Sequence, residues 1–194
     1  LRIVLLRSNL FENAQARHSF VAANPFLTFQ SFGSRCEISK SEIANPKSEI
    51  HFGNPWHLLD ALMSRFELLD EIDLPFPLGG CFGFWGYDLK NFTEPKLARR
   101  AIADLELPDC AVGFYDSLVV FDHQLGKVFV VSTGLSSDGS RSEQKAREQL
   151  EFWEKILTQR CRDAETEKFS PRLRASAVEI ESNLSRDEFI SKAQ

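Results

Sequence analysis

No apolar run in this chain of 194 residues approaches the ~18 that a membrane-spanning helix needs, so no helical span is predicted. The opening Leu1-Arg2-Ile3-Val4-Leu5-Leu6 lacks the long apolar centre and small-residue cleavage site of a signal peptide, which makes the cytoplasm the expected compartment. Basic charge is short: 23 Lys and Arg against 28 Asp and Glu leave a formal net charge of -5, with no basic patch. Nucleic acid is therefore not an expected partner, because phosphate-backbone binding needs such a patch. Cys36, Cys81, Cys110 and Cys161 form no C-x-x-C pair, and His18, His51, His57 and His123 are as scattered. A metal site would need those residues clustered, so all eight read as structural or surface groups. Catalytic signatures are missing too: there is no nucleophile elbow, Ser/His/Asp order or kinase set. Gly79-Gly80-x-x-Gly83 lies inside an aromatic run rather than between strand and helix, and no Lys-Ser/Thr follows, which excludes a phosphate-cradling loop. Asp116 and Asp122 flank an apolar strand and are expected as solvated strand-end carboxylates. His57, in the first turn of a helix, is expected to be exposed.

Apolar material is plentiful. Hydrophobic residues make up 43% of the chain and 17 of them are Phe, enough for a sizeable core in one domain, or in one domain plus the edge of another. Its most distinctive stretch is Pro77-Leu78-Gly79-Gly80-Cys81-Phe82-Gly83-Phe84-Trp85-Gly86-Tyr87-Asp88-Leu89. Four glycines thread four large aromatics there. Glycine weakens a strand, so glycines inside an aromatic strand mark close backbone approach, a bulge or a bend. Taken singly, each residue reads as part of a tightly packed core strand.

Along the chain, residues 1–7 read as a strand and Asn9–Arg17 as a polar loop. Ser19–Ala23 and Phe26–Phe32 read as short strands around the turn signal Asn24-Pro25. Polar residues 40–54 read mostly as loop. Asn54 caps a helix with Pro55 at its first position. Leu58, Leu59, Leu62, Met63, Phe66 and Leu69 then form one apolar stripe assigned to the core. Asn91–Leu107 reads as partly helical, stopping at Pro108. Ala111–Phe121 and Lys127–Ser132 read as a strand–loop–strand hairpin. Ser142 to Arg162 reads as an amphipathic helix with Ala146, Leu150, Trp153 and Leu157 on its stripe. Residues 163–175 read as a flexible connector and Ala177–Ile180 as a last short strand. A final helix opens with the capping box Ser185 and Glu188 and the staple Leu184 and Phe189. It is cut off within about three turns, and residue 1 is not Met, so a piece of a larger protein is expected. Strands and helices alternate irregularly through hairpin-like joins, which gives α+β with mainly antiparallel sheets packed with helices.

Several separated stretches resemble one family in its own order. Leu5-Leu6-Arg7-Ser8, Arg17-His18-Ser19-Phe20 and Asn24-Pro25 resemble the opening of the chorismate-utilising synthases, component I of anthranilate synthase and of aminodeoxychorismate synthase. Leu74-Pro75-Phe76 to Asp88-Leu89 resembles their Gly-Gly-x-x-Gly-aromatic-x-Gly-Tyr-Asp stretch. Leu107-Pro108-Asp109-Cys110-Ala111-Val112-Gly113-Phe114-Tyr115-Asp116 with Val120-Phe121-Asp122-His123 resembles the strand pair after it. Asn183-Leu184-Ser185-Arg186-Asp187-Glu188-Phe189 looks like the lead-in to the chorismate-binding domain. The phrase at Leu107 to Asp116 and the Val-x-Asp-His pattern look more like the aminodeoxychorismate members, with anthranilate synthase the close alternative.

That resemblance implies the N-terminal part of the family's two-sheet fold. Its boundaries fall at 1–162 for the N-terminal domain, 163–182 for a connector and 183–194 for the first helix of a truncated C-terminal domain. It implies an enzyme in full-length form, using chorismate, Mg²⁺ and ammonia from a glutamine amidotransferase. Aminodeoxychorismate synthase carries out a transaminase-type amination at C4, leading to para-aminobenzoate and folate, whereas anthranilate synthase aminates C2 and eliminates pyruvate. The family's catalytic and Mg²⁺-binding groups lie in its C-terminal domain, so no catalytic residue is assigned here. The N-terminal part carries a pocket for L-tryptophan, and the matching positions are Ser8, Gln15, Ala16, Arg17 and His18. His18 and Gln15 depart from the aromatics common there, and Ser8 also reads as a strand-end serine bonding backbone. The expectation is weak or absent tryptophan binding. Two other readings stay open: a stand-alone tryptophan-binding regulatory domain, and a structural module unrelated to chorismate.

Overall fold

The computed structural model describes residues 3–8, 16–40, 47–68, 73–97 and 106–166. The terminal helix, the Ala177–Ile180 strand and all but residues 163–166 of the connector lie outside them. Two antiparallel sheets organise the chain. The first joins β1 (Ile3–Leu6), β2 (His18–Ala23), β8 (Ser117–Asp122) and β9 (Lys127–Ser132) in the order β1-β2-β8-β9. The second joins β3 (Leu27–Phe32), β4 (Arg35–Lys40), β5 (Lys47–Phe52), β6 (Gly80–Trp85) and β7 (Cys110–Tyr115) in the order β5-β4-β3-β7-β6. The expected α+β class with antiparallel sheets is what the structure has.

The two sheets share one bent ribbon. β2 pairs with β8, and β3 pairs with β7, so both strands of the ribbon pass from one sheet to the other at the same corner. On one strand the corner is Asn24-Pro25, with Asn24 at φ 55, a left-handed conformation that asparagine tolerates better than most residues. On the other strand it is Asp116. Between Val21↔Val119 and Leu27↔Phe114 the register advances by one residue, which turns the pleat over as the chain changes sheet. This corrects the single strand read over Ala111–Phe121: its apolar run is continuous, but Asp116 divides it between sheets. The hairpin to Lys127–Ser132 is therefore made by β8 alone.

Two further expectations fail. Residues 35–52, read mostly as loop beyond residue 40, supply β4 and β5. In β4, Cys36 and Ile38 are buried while their neighbours are not, a period-2 signal. β5 is an edge strand whose Ser48–Phe52 are all exposed, so no apolar alternation marks it. The glycine–aromatic strand β6 is also an edge strand, not a core one, and Phe84 and Trp85 are exposed. Its glycines do mark close approach. A Cβ on Gly83 would lie 2.1 Å from the Ala111 carbonyl oxygen, and one on Gly86 2.7 Å from that of Asp109.

Helices cover the outer faces. α1 (Pro55–Arg65) starts where Asn54 Oδ1 accepts from the Trp56 amide, and it lies on the second sheet. Leu59 is buried there among Phe29, Val112 and Phe114, with Leu58, Leu62 and Phe66 packed against them. Met63 breaks the expected stripe, being 48% exposed, and Leu69 lies outside the described residues. A 3₁₀ turn at Tyr87–Leu89 and a single turn of helix, α2 (Lys90–Thr93), follow β6. Residues 98–105, the middle of the partly helical stretch, are outside the described set. α3 (Glu143–Thr166) covers the first sheet through Trp153, which packs on Ala23, Val119 and Val130 with Leu150 and Leu157 beside it. Its indole Nε1 donates to Ser117 Oγ at 3.0 Å. Between the sheets, Phe76, Tyr115, Leu118 and Val120 form a third cluster.

Gly83→Val should lower stability by about 1–3 kcal/mol or more, because the new side chain meets backbone that cannot yield without breaking the β6–β7 ladder. Chemical denaturation of the two proteins would check this; an unchanged midpoint would mean that β6 tolerates a shift away from β7.

Candidate functional site

The candidate residues come together at the open end of the first sheet, where the last pairs of β1, β2 and β8 meet. Ser8 lies opposite His18, just past the Leu6↔Phe20 pair, and its Oγ donates to the His18 carbonyl at 2.7 Å. The Ser8 amide donates to Ser19 Oγ at 3.0 Å, and that oxygen lies 2.6 Å from His123 Nε2. Ser8 thus closes the base of the loop between β1 and β2 through backbone, as its strand-end reading expects. Ala16, half-buried, contributes only a methyl group. Gln15 lies outside the described residues.

Arg17 is the strongest contributor. Its Nε and Nη2 both donate to Asp122 Oδ2, at 2.8 and 2.5 Å, and its carbonyl accepts the His123 amide. The other oxygen, Asp122 Oδ1, accepts the amides of Gln124 and Leu125 at 3.0 and 2.9 Å. One carboxylate therefore holds the start of β2 and also caps the turn between β8 and β9. Asp122 is 2% exposed and Asp116 1%, so the expectation of solvated carboxylates is wrong for both; pairing with Arg17 allows the burial of Asp122. Burial alone would push its carboxyl up, but the Arg17 guanidinium and the two amides outweigh that and bring it down to about 2. The Arg17 guanidinium is correspondingly pushed up by the bond to Asp122.

His18 is the cross-strand partner of Asp122, and its Nε2 lies 3.5 Å from Asp122 Oδ2. Its ring stands edge-on to Phe76 at 5.6 Å and tilted to Phe20 at 6.2 Å, so it fills the end of the aromatic layer between the sheets. Sequence reasoning missed Asp122, Ser19 and His123 as partners of this cluster. The Asp122-x-Gln124-Leu125 turn, with an acid placed to cap its own chain, was the available signal.

Ser19 and His123 have the spacing of a nucleophile and its base, but Ser19 is 4% exposed and its oxygen already accepts the Ser8 amide. A substrate carbonyl cannot reach it. The thiols are no better placed: burial pushes Cys81 and Cys110 up to about 12, and Cys36 is raised by burial as well. Among the described residues no group of three or more His, Cys, Asp or Glu is placed to hold a metal ion. No helix among them is long and apolar enough to cross a membrane. His57 is exposed, as expected.

The sequence profile of a family described as chorismate binding enzyme matches residues 7–194. The chain is 27% identical to anthranilate synthase component 1 of Acetivibrio thermocellus over 90% of its own length and 35% of that protein's. It is 33% identical to aminodeoxychorismate synthase component 1 of Escherichia coli (strain K12) over 66% of its own length and 28% of that protein's. Anthranilate synthase component I from Streptococcus pneumoniae TIGR4 superposes with a TM-score of 0.58 at 25% identity, covering 75% of this chain and 30% of that one. The chain thus spans about a third of the length of the curated relatives it matches.

Because the folded-state Asp122 carboxyl lies at about 2, below its ordinary 3.8, its contribution to stability is full above pH 4 and fades as pH falls towards 2. Arg17→Gln should lower the melting temperature at pH 7, and the gap from the parent protein should narrow between pH 4 and 2. Thermal melts across that range would check the lock; a gap independent of pH would show that Arg17 acts through something other than Asp122.

Proposed function

The chain belongs to the chorismate binding enzyme family, and on that premise we propose that it is the N-terminal part of an aminodeoxychorismate synthase component I. The observation that supports this reading is the family match over residues 7–194, together with relatives named component 1 that are about two and a half times as long. In the full-length enzyme, ammonia from a glutamine amidotransferase partner forms the new C–N bond at C4 of chorismate while the C4 hydroxyl departs as water. The product, 4-amino-4-deoxychorismate, feeds para-aminobenzoate and folate synthesis in the cytoplasm. Mg²⁺, which the family resemblance assigns to the C-terminal domain, would supply electrostatic assistance there. In this reading the described segment supplies the two-sheet scaffold and the Arg17–Asp122 lock. The second reading is anthranilate synthase component I, with amination at C2 and loss of pyruvate. It is favoured by the relative that covers 90% of this chain.

The full-length protein, with its amidotransferase, glutamine, Mg²⁺ and chorismate, should yield 4-amino-4-deoxychorismate, and the 194-residue chain alone should yield no product even with excess ammonia. Chromatographic separation of the products distinguishes the readings: anthranilate with stoichiometric pyruvate would replace the first reading by the second, and turnover by the chain alone would overturn the placement of catalysis elsewhere.

For the inherited ligand pocket we propose that L-tryptophan binds weakly or not at all. Ser8 Oγ gives its one proton to the His18 carbonyl, which ties it to its own loop, and His18 brings an imidazole where an indole would need an apolar wall. Tryptophan at millimolar concentration should therefore leave the melting temperature of the intact protein almost unchanged, since the shift follows ln(1 + [L]/Kd). Micromolar binding that Ser8→Ala abolishes would reverse this proposal.

A further inference from the structure

A sheet edge exposes unpaired backbone amides and carbonyls, and folded proteins blunt such edges with charge or cover them. Three of the four edges among the described residues follow that rule. β5 carries Lys47, Glu49 and His51, β1 is four residues long and lies between Arg2 and Arg7, and β9 opens on Lys127 with α3 against it. β6 does not follow it. No charged residue stands between Asp73 and Asp88, and among the described residues no strand pairs with its outer side.

The exposed side chains of β6 lie on both faces of the sheet. Side chains alternate along a strand, so Phe82 and Phe84 share the face towards the first sheet, where Phe82 meets Tyr115 with ring centroids 5.9 Å apart. Cys81 and Trp85 share the opposite face, where Cys81 packs against the cluster beneath α1. Towards the end of the strand both coverings run out. Phe84 is 48% and Trp85 42% exposed, and Tyr87, just past the strand, is 82% exposed. A helix or loop laid on the sheet covers one face only. A strand added beside β6 extends both faces at once and also meets the free backbone groups.

On the reading of the chain as part of a component I polypeptide, we propose that β6 is a strand-addition edge and that the strand it takes belongs to the remainder of that same polypeptide. In the relative of known structure the matched region is 30% of one chain, and in the two curated relatives it is 35% and 28%, so most of each polypeptide lies outside it. A strand tethered to this chain reaches the edge at a high effective concentration, which a separate partner lacks. The added strand is apolar on both faces, because it lies beside Phe84 on one and Trp85 on the other and meets no charge from β6 on either.

Hydrogen exchange of the full-length polypeptide, resolved to single amides, tests the proposal. The amides of Gly80–Trp85 should be protected to within ~tenfold of those of the central strand Cys110–Tyr115, whereas an open edge leaves alternate amides exchanging freely. A photoreactive benzoylphenylalanine in place of Tyr87 should cross-link inside its own chain, to a residue beyond 194. Free exchange at alternate β6 amides, a cross-link to a second copy or to the amidotransferase, or no cross-link inside the chain would sink it. Product analysis on the same preparation keeps the two readings apart. An open β6 edge in a protein that aminates chorismate removes the strand addition alone. A protected edge in a protein that forms neither product removes the functional reading alone.

Discussion

The corner at which β2–β3 and β7–β8 cross together between sheets is the constraint on which the rest of the structure depends. A ribbon of two paired strands cannot change sheet unless both strands bend at the same level, and the one-residue advance in register is how this one does it. The bend buries Tyr115, Asp116 and Ser117 in succession. Each group there must then find a partner. The Asp116 carbonyl accepts the Thr133 amide at 2.8 Å, which ties the end of β9 to the corner, and Ser117 receives the Trp153 indole. α3 is therefore docked on the corner as well as on the sheet surface.

The two aspartates that bracket β8 show how differently buried carboxylates are managed. Asp122, at the outer end, has an arginine and two backbone amides, and it is held firmly ionised. Asp116, at the corner, has only a lysine at 3.9 Å; burial pushes its carboxyl up, and Lys145 offsets part of that. The first is a fastening between the loop before β2 and the turn after β8. The second is an incompletely met demand at the corner itself. Six residues separate a satisfied site from an unsatisfied one.

Membership of the chorismate binding enzyme family is shown by the profile match; what the described side chains show is architecture. What these residues do is hold a scaffold in register: the glycines of β6 let its backbone lie directly against β7, and the Arg17–Asp122 pair fixes the end of the first sheet. The stretch from Val120 to His123 accordingly makes sense as architecture. Asp122 and His123 recur in the network around Ser8, Arg17 and His18 because a strand end, a loop base and a tight turn all need hydrogen-bond partners there.

The sequence by itself determined the elements whose signals are local. Asn54-Pro55 fixed the start of α1, the Trp153 stripe fixed the buried face of α3, and Gly83 and Gly86 announced close approach before any neighbour was known. The family, too, was legible from ordered motifs. Tertiary structure alone decided where the apolar run from Ala111 to Phe121 breaks, because both halves are equally strand-like and only the partner strands differ. It alone made a strand of Lys47–Phe52, whose ladder to β4 supplies backbone hydrogen bonds that no side-chain pattern records. It also reversed the reading of Asp122: a carboxylate's burial is set by a guanidinium 105 positions away in the chain, and that distance closes only when β2 pairs with β8.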